Sequence, residues 1–186
     1  MMQPVTLTTP RLNLRSFTLV DAVRFHEILC GKDVLRYFPR SDPPPLERVE
    51  KWIRQVLEHW QTHGYGLWAV ESRASGELMG RCGLQWLPET NEIEVDFLLG
   101  RPFWGNGYAT EAGQASLRFG LEKLAVERVV GIVHPENLAS QRVLEKIGLT
   151  RRERACYFGM DCYRYSVERA RLRKLYGAQS TAAAGF

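Results

Sequence analysis

The stretch of sequence that decides the fold runs from residue 92 to residue 112 and reads EIEVDFLLGRPFWGNGYATEA. Its first eight residues place apolar side chains at alternate positions and acidic side chains at most of the others, which predicts a strand with one apolar face. Glycines at 105 and 107 follow, and the apolar spacing after Tyr108 is helical. The stretch therefore predicts a strand, a glycine-rich loop and a helix in direct succession.

The loop and the first helical turn, residues 104–110, have the chemistry of an anion site. Glycines let the backbone approach a ligand closely, and a helix N-terminus adds unpaired N–H donors and a positive dipole end. Together they suit a pyrophosphate, while an ordinary glycine turn into a helix has the same short motif. A P-loop is excluded because Tyr108 follows Gly107. A dinucleotide fingerprint is excluded because Thr110 replaces its third small residue and residues 131–134 carry no carboxylate.

Composition indicates a globular chain of one domain. The 186 residues are 45% hydrophobic and 25% charged, which excludes a disordered chain, a collagen-like fibre and a disulfide-stapled miniprotein. The net charge of +4 is too small to indicate nucleic acid as a direct substrate. Residues 151–174 hold eight Lys/Arg against three Asp/Glu, which is typical of a solvated face or of contact with an acidic or RNA-rich partner.

Cysteine and histidine spacing gives no metal signature. The four cysteines contain no C-x-x-C pair, and His59 with His63 has no evident third ligand, so we expect no metal. No apolar run approaches the roughly 20 residues needed to cross a bilayer, and the N-terminus has no signal-peptide pattern. We expect a cytoplasmic protein with reduced thiols that does not contact a membrane.

Hydrophobic periodicity predicts the elements on both sides of the central stretch. Before it we predict a strand, two helices and two strands, at residues 11–17, 20–29, 49–60 (ended by Gly64), 67–71 and 78–87. After the helix 108–123 we predict a strand at 129–133, a helix at 138–147 and an antiparallel pair at 149–158 and 162–167. This order predicts a single mixed α/β domain over residues 9–170. Residues 171–186 form a tail, and its small, polar end from residue 177 is expected to be disordered.

Four short motifs resemble the GNAT superfamily and occur in its order. They are EVDFLL at 94–99, FWGNGYATEA at 103–112, PENLAS at 135–140 and VLEKIGL at 143–149. The opening TPRL at 9–12 and Asp21-Ala22 resemble the branch of ribosomal-protein N-terminal acetyltransferases (RimJ/RimL type), as do Trp68 and residues 76–83. The resemblance covers about residues 9–169. It implies a twisted, mostly antiparallel sheet of about six to seven strands, splayed at a cofactor cleft and flanked by about four helices.

The resemblance also implies an acetyl-CoA-dependent N-acetyltransferase. Such an enzyme moves an acetyl group from acetyl-CoA, its co-substrate, directly to a primary amine in a ternary complex; the amine belongs to a protein N-terminus or a small molecule. The implied CoA-binding residues are Phe97, Leu98 and Leu99 for the pantetheine arm, Trp104, Gly105, Asn106, Gly107, Tyr108, Ala109 and Thr110 for the pyrophosphate, and Asn137 and Ser140. Trp104 departs from the family's usual Gln or Arg, so the pyrophosphate would depend on backbone donors.

Two catalytic residues are implied by the same resemblance. Glu94 matches a position that deprotonates the amine, with Asp96 as runner-up; both also fit a solvated acidic strand face. Ser140 matches a general acid for the leaving thiolate, and Asn137 with Ser140 also fits a helix cap. Cys156 stands where the RimL-type pattern has a carboxylate, which favours Glu94. Tyr157 and Tyr163 are substitutes for the acid.

The alternative function is a non-catalytic CoA-binding regulatory or scaffold domain of the same fold. It would keep the loop at 104–110 and lack a working acid and base. If the chain is an acetyltransferase, residues 31–46 and 88–91 are expected to form the wall of the site that binds the acceptor amine. The assembly is expected to be a monomer or a homodimer.

Overall fold

The computed structural model describes residues 5–88, 90–124 and 126–176. One sheet of eight strands forms its centre, in the order β1-β2-β3-β4-β5-β6-β8-β7. The strands are β1 (Leu7–Thr8), β2 (Leu12–Arg15), β3 (Leu67–Ser72), β4 (Leu78–Leu87), β5 (Glu92–Leu99), β6 (Arg128–Val133), β7 (Thr150–Tyr157) and β8 (Met160–Glu168). The helices are α1 (Asp21–Leu29), α2 (Leu46–His63), α3 (Tyr108–Lys123), α4 (Leu138–Lys146) and α5 (Arg169–Tyr176).

Helices cover both faces of the sheet. Adjacent residues of a strand point to opposite faces, and the Cys82 thiol on β4 lies 3.5 Å from the Ser116 hydroxyl on α3. Arg81, its neighbour, has its guanidinium 5.2 Å from the Trp52 ring of α2. Helix α3 therefore packs on one face, and α1 with the first half of α2 packs on the other.

The longest helix on that second face, α2, follows its predicted apolar spacing. Val49, Ile53, Val56 and Trp60 are buried along one side, because residues three and four apart share a helix face. Gly64 ends the helix in the left-handed conformation, at φ 72°, and its N–H donates to the Trp60 carbonyl.

The mixed α/β fold of the sequence analysis is confirmed, and every predicted strand and helix is present. The structure adds the two-residue strand β1 and the helix α5, which packs against α3. The expected disorder of residues 177–186 lies outside the described residues. The domain boundaries at 9–170 and 171–186 stay a prediction. In the ranges that the structure covers, no helix is long and apolar enough to span a membrane.

All neighbouring strands but one pair run antiparallel. The exception is β5 beside β6, and these strands are in register only at Glu94 and Val130. Beyond that pair they separate, so a cleft opens between the C-terminal half of β5 and the end of β6. This is the splay that the sequence resemblance implied.

Candidate active site

The Glu94 side chain lies where β5 and β6 separate. In a continuing parallel ladder the N–H of Ile132 would donate to a backbone carbonyl of β5; here it donates to Glu94 Oε1 at 3.1 Å. The Gln85 amide on β4 donates to Glu94 Oε2 at 2.7 Å. Glu94 is only 6% exposed, so its strand face is covered, not solvated.

This environment favours the protonated form of Glu94. Burial, followed by the nearby charge of Asp96, raises the pKa of Glu94 to about 8, against the lowering effect of the hydrogen bonds from Gln85 and Ile132. A carboxyl group with a pKa in this range exchanges protons readily near neutral pH. Glu94 is therefore a candidate general base.

Asp96, the runner-up, lies on the same strand face and has a different partner. Its Oδ2 is 2.9 Å from Arg81 Nη2, and both side chains are largely buried, at 13% and 14% exposure. The guanidinium of Arg81 thus compensates the charge of Asp96. Among the ion pairs of the described residues, Asp96 has a cationic partner and Glu94 has none.

The glycine loop has the conformation that its sequence requires. Gly105 and Gly107 have φ values of 78° and 80°, which side chains with a Cβ rarely adopt. The Trp104 indole N–H donates to the Leu99 carbonyl at 2.7 Å, and the Asn106 amide donates to the Trp104 carbonyl at 2.9 Å. Trp104 therefore attaches the loop to the end of β5.

Arg11 also contacts the glycine loop, and the sequence did not predict this contact. Its Nη1 donates to the Asn106 carbonyl at 2.9 Å, and its Nε donates to Glu111 Oε2 at 2.6 Å. Its guanidinium also lies 4.5 Å from the centre of the Tyr108 ring. The Asn106 carbonyl therefore has a cationic hydrogen-bond partner within the protein.

Helix α4 begins with the predicted cap. The Asn137 side chain accepts a hydrogen bond from the Ser140 N–H at 3.1 Å, which satisfies one of the unpaired donors of the first turn. Both residues line the cavity that contains Glu94. The capping interpretation is therefore confirmed, and the two side chains also face the candidate site.

Two adjoining cavities bring most of the candidate residues together. The smaller, of about 280 Å³, contains Glu94, Asp96, Phe97, Asn137 and Ser140. The larger, of about 640 Å³, follows the splayed strand to the glycine loop. Its lining includes Phe97, Leu98, Leu99, Trp104, Gly105, Gly107, Tyr108, Ala109, Thr110, Asn137 and Ser140. Asn106 is the one predicted cofactor residue outside both linings among those that the structure describes.

Several lining residues were not identified individually from the sequence, although Tyr37 and Arg36 lie in the segment 31–46 that was expected to form the acceptor wall. Tyr37 lines both cavities, and its ring stacks on His134 with centroids 5.2 Å apart. Cations around the larger cavity come from separate parts of the chain: Arg36, Arg101, Arg142 and Lys146. Arg142 and Lys146 are four residues apart on α4, so their spacing predicts that they are neighbours. No spacing in the sequence predicts that Arg36 and Arg101 line the same cavity.

Other candidates do not line the cavities. Tyr157 and Tyr163 are not among the residues that line either one, and Cys156 is exposed on β7. The segment 31–46 contributes Tyr37, Phe38 and Pro39 to the Glu94 cavity, whereas the described part of 88–91 contributes nothing. Within residues 5–88, 90–124 and 126–176, no group of three or more His, Cys, Asp or Glu side chains could hold a metal.

Comparisons with known proteins agree with this geometry. Residues 11–150 match the family model described as an acetyltransferase (GNAT) domain. The chain is 30% identical over 172 residues to the uncharacterized N-acetyltransferase p20 of Bacillus licheniformis, which covers 87% of this chain and 95% of p20. An acetyltransferase from Agrobacterium tumefaciens has a similar structure, with a TM-score of 0.79, 26% identity and coverage of 90% of this chain and 96% of that one.

A more distant structural neighbour is described as a ribosomal L7/L12 α-N-protein acetyltransferase, RimL, in complex with coenzyme A. The TM-score is 0.76 at 17% identity, with coverage of 88% of this chain and 98% of that one. At this identity the likeness shows a shared fold.

The raised pKa of Glu94 predicts how its replacement affects stability. A carboxyl group whose pKa is raised by folding contributes stability below its unfolded pKa, and that contribution is lost as the pH rises towards the folded value. Glu94→Gln keeps an acceptor for the Ile132 N–H and does not ionise. The difference in unfolding free energy, variant minus wild type, should therefore increase between about pH 5 and pH 8 and then level off. Urea unfolding across this range measures it, and a pH-independent difference would contradict the raised pKa.

Proposed function

Because the chain belongs to the GNAT acetyltransferase family and is an N-acetyltransferase, we propose that it transfers the acetyl group of acetyl-CoA directly to a primary amine. The observation that carries this proposal is the buried Glu94 carboxylate, which faces a cavity at one end of a cleft whose other end is the glycine loop. The amine belongs to a protein N-terminus or to a small molecule, and the cytoplasm is the proposed compartment.

The cleft fits CoA in shape and charge. Beside Gly105 an added Cβ would meet nothing within 4 Å, so the loop backbone is open to a ligand. The loop and the start of α3 would bind the pyrophosphate through N–H groups, and the unpaired side of residues 97–99 would bind the pantetheine arm. Arg142 and Lys146 are exposed on α4 beside the cleft and would attract the remaining phosphate.

Each chemical requirement of the transfer has a candidate residue. Bound acetyl-CoA supplies a thioester carbonyl that a neutral amine attacks as the C–S bond breaks. Glu94 takes a proton from the ammonium, so that the nitrogen lone pair becomes available. The Ser140 hydroxyl gives a proton to the departing thiolate and regains one from solvent. The amide nitrogen loses its extra proton to solvent, and Glu94 releases its proton to solvent before the next turnover.

The proton affinity of Glu94 suits this task. An α-amino group ordinarily has a pKa of about 7.7–8.0, and the pKa of Glu94 is raised to about 8. A proton can therefore pass between the two groups with little change in free energy. A domain that only bound CoA would need an acceptor for the Ile132 N–H but no carboxyl group that lines a cavity beside the cleft, which argues against the non-catalytic alternative.

A charge change at the loop tests CoA binding. Thr110 lies in the first turn of α3 and lines the larger cavity. An aspartate there favours the helix but would repel a pyrophosphate: like charges about 6 Å apart repel by about 3 kcal/mol at an effective dielectric of about 20. Thr110→Asp should weaken CoA binding at least tenfold in calorimetry, and the neutral control Thr110→Asn should bind within a few fold of wild type. Equal affinities in the two variants would place the phosphates elsewhere.

Removal of the base tests the catalytic role of Glu94. Glu94→Gln should lower the rate of thiol release with an N-terminal peptide or small amine by about 10²–10⁴, while CoA affinity stays within a few fold. In the wild type, kcat/KM should fall as the pH drops below about 8, because protonated Glu94 cannot accept a proton. With a small alkylamine, whose pKa is near 10, the acidic limb of the variant should move up to the pKa of the amine, because only the neutral amine then attacks. An unchanged pH–rate profile would exclude Glu94 as the base.

A pair of variants on α4 separates acid catalysis from capping. Ser140→Ala keeps the backbone N–H that Asn137 caps, so stability should change by well under about 1 kcal/mol while turnover drops. Asn137→Ala should cost about 1 kcal/mol of stability through the lost cap. Thermal unfolding and turnover are measured on both. A Ser140→Ala protein with full turnover would leave thiolate protonation to water.

A further inference from the structure

A third cavity lies on the same face of the sheet as Glu94. It has a volume of about 410 Å³, within the range of small-molecule sites. Helix α1, the first half of α2 and the segment after α1 enclose it, and its lining is mostly apolar, with Phe25, Phe38, Trp52 and Leu98 among it. We call it the aromatic groove.

Arg81 joins the aromatic groove to the Glu94 cavity. Arg81, Phe38 and Pro39 line both cavities. The Arg81 guanidinium lies 5.2 Å from the Trp52 ring and 6.0 Å from the Phe38 ring, and it is held by the ion pair with Asp96. A molecule with an amine beside Glu94 would therefore extend across Arg81 into the groove.

The wall of the groove is preorganised for an apolar group. The rings of Phe25 and Trp52 stack with centroids 5.0 Å apart, and Phe17 packs edge-on against Trp52 at 5.3 Å. Phe25 is 2% exposed, so the cluster is part of the core. A ring or branched alkyl group could pack there without reordering the side chains.

The rim of the groove attracts an anion. Arg40, Arg48 and Asp42 line it and are exposed. Among the ion pairs found in the described ranges, none includes Arg40, Arg48 or Asp42. Arg81 is left out of the rim charge because Asp96 compensates it. Arg40 and Arg48 against Asp42 then give the rim one excess positive charge.

We propose that the aromatic groove binds the body of the acceptor, and that the acceptor is a small amine with an apolar body and a carboxylate at its far end. This proposal rests on the proposed acetyl transfer at Glu94. A polyamine or another polycation would bring a positive charge to a positive rim. An unsubstituted alkylamine would leave the aromatic wall without a partner.

Three matched amines test the acceptor class. They are 4-(aminomethyl)benzoate, 4-(aminomethyl)benzamide and 4-(aminomethyl)benzylamine, which share a ring and a reacting amine and differ in the charge at the far end. The carboxylate should have the highest kcat/KM, about tenfold above the amide, and the diamine the lowest. The difference should lie mainly in KM for the amine, because the far end binds and does not react.

Variants of the rim assign the preference to the groove. The double variant Arg40→Gln/Arg48→Gln should lose most of the carboxylate preference, while kcat/KM for the amide stays within about twofold. Arg54→Gln, on the exposed side of α2 and outside the groove lining, is the matched control and should keep the preference. Equal kcat/KM for the three amines, the highest value for the diamine, or a preference that survives the double variant would overturn the proposal.

Failure of the groove proposal is distinguishable from failure of acetyl transfer. If none of the three amines is acetylated, the groove proposal is overturned. Peptides with free N-terminal amines then test the transfer itself: their Glu94-dependent acetylation would keep the proposed function without this acceptor class.

Discussion

The separation of β5 from β6 is the constraint on which the site depends. The strands share one register pair, Glu94 with Val130. The Ile132 N–H of β6 points towards the separated β5 and needs a buried acceptor. A buried donor left unpaired costs about 1–3 kcal/mol. The Glu94 carboxylate supplies the acceptor. The same side chain thus completes the backbone hydrogen bonding of the splay and becomes a buried carboxyl group with raised proton affinity.

The splay also determines where the other functional parts lie. The end of β5 leads to Trp104, whose indole N–H bonds back to the strand, so the glycine loop is held at one end of the opened cleft. Arg11 binds that loop at the Asn106 carbonyl and is itself paired with Glu111. The capped start of α4 lies along the cleft. A ligand that followed β5 from the loop would therefore end beside Glu94.

Local sequence patterns predicted the elements well, because alternation and helical spacing are short-range properties. The strand at β5, the helix α3 and the Asn137 cap could each be identified from fewer than twenty residues. The alternation of apolar and acidic residues along β5 could not show which side chains cover its acidic face. That depends on Gln85 from β4 and on Phe38 and Tyr37 from the segment after α1, which are contacts between distant parts of the chain. The aromatic groove and the Arg11 contacts were missed for the same reason, and β1 was missed because a two-residue strand has no periodicity.

The proposed acetyl transfer depends most on the ionisation of the Glu94 side chain, and NMR can observe that ionisation directly. Selective ¹³C labelling of glutamate carboxyl carbons, with Glu94 assigned by its absence in Glu94→Gln, would give its titration curve in the folded protein. We expect Glu94 to titrate near pH 8. Titration at the ordinary glutamate value of about 4.3 would contradict it, because Glu94 would then be an ordinary ionised carboxylate with too little proton affinity for the proposed base.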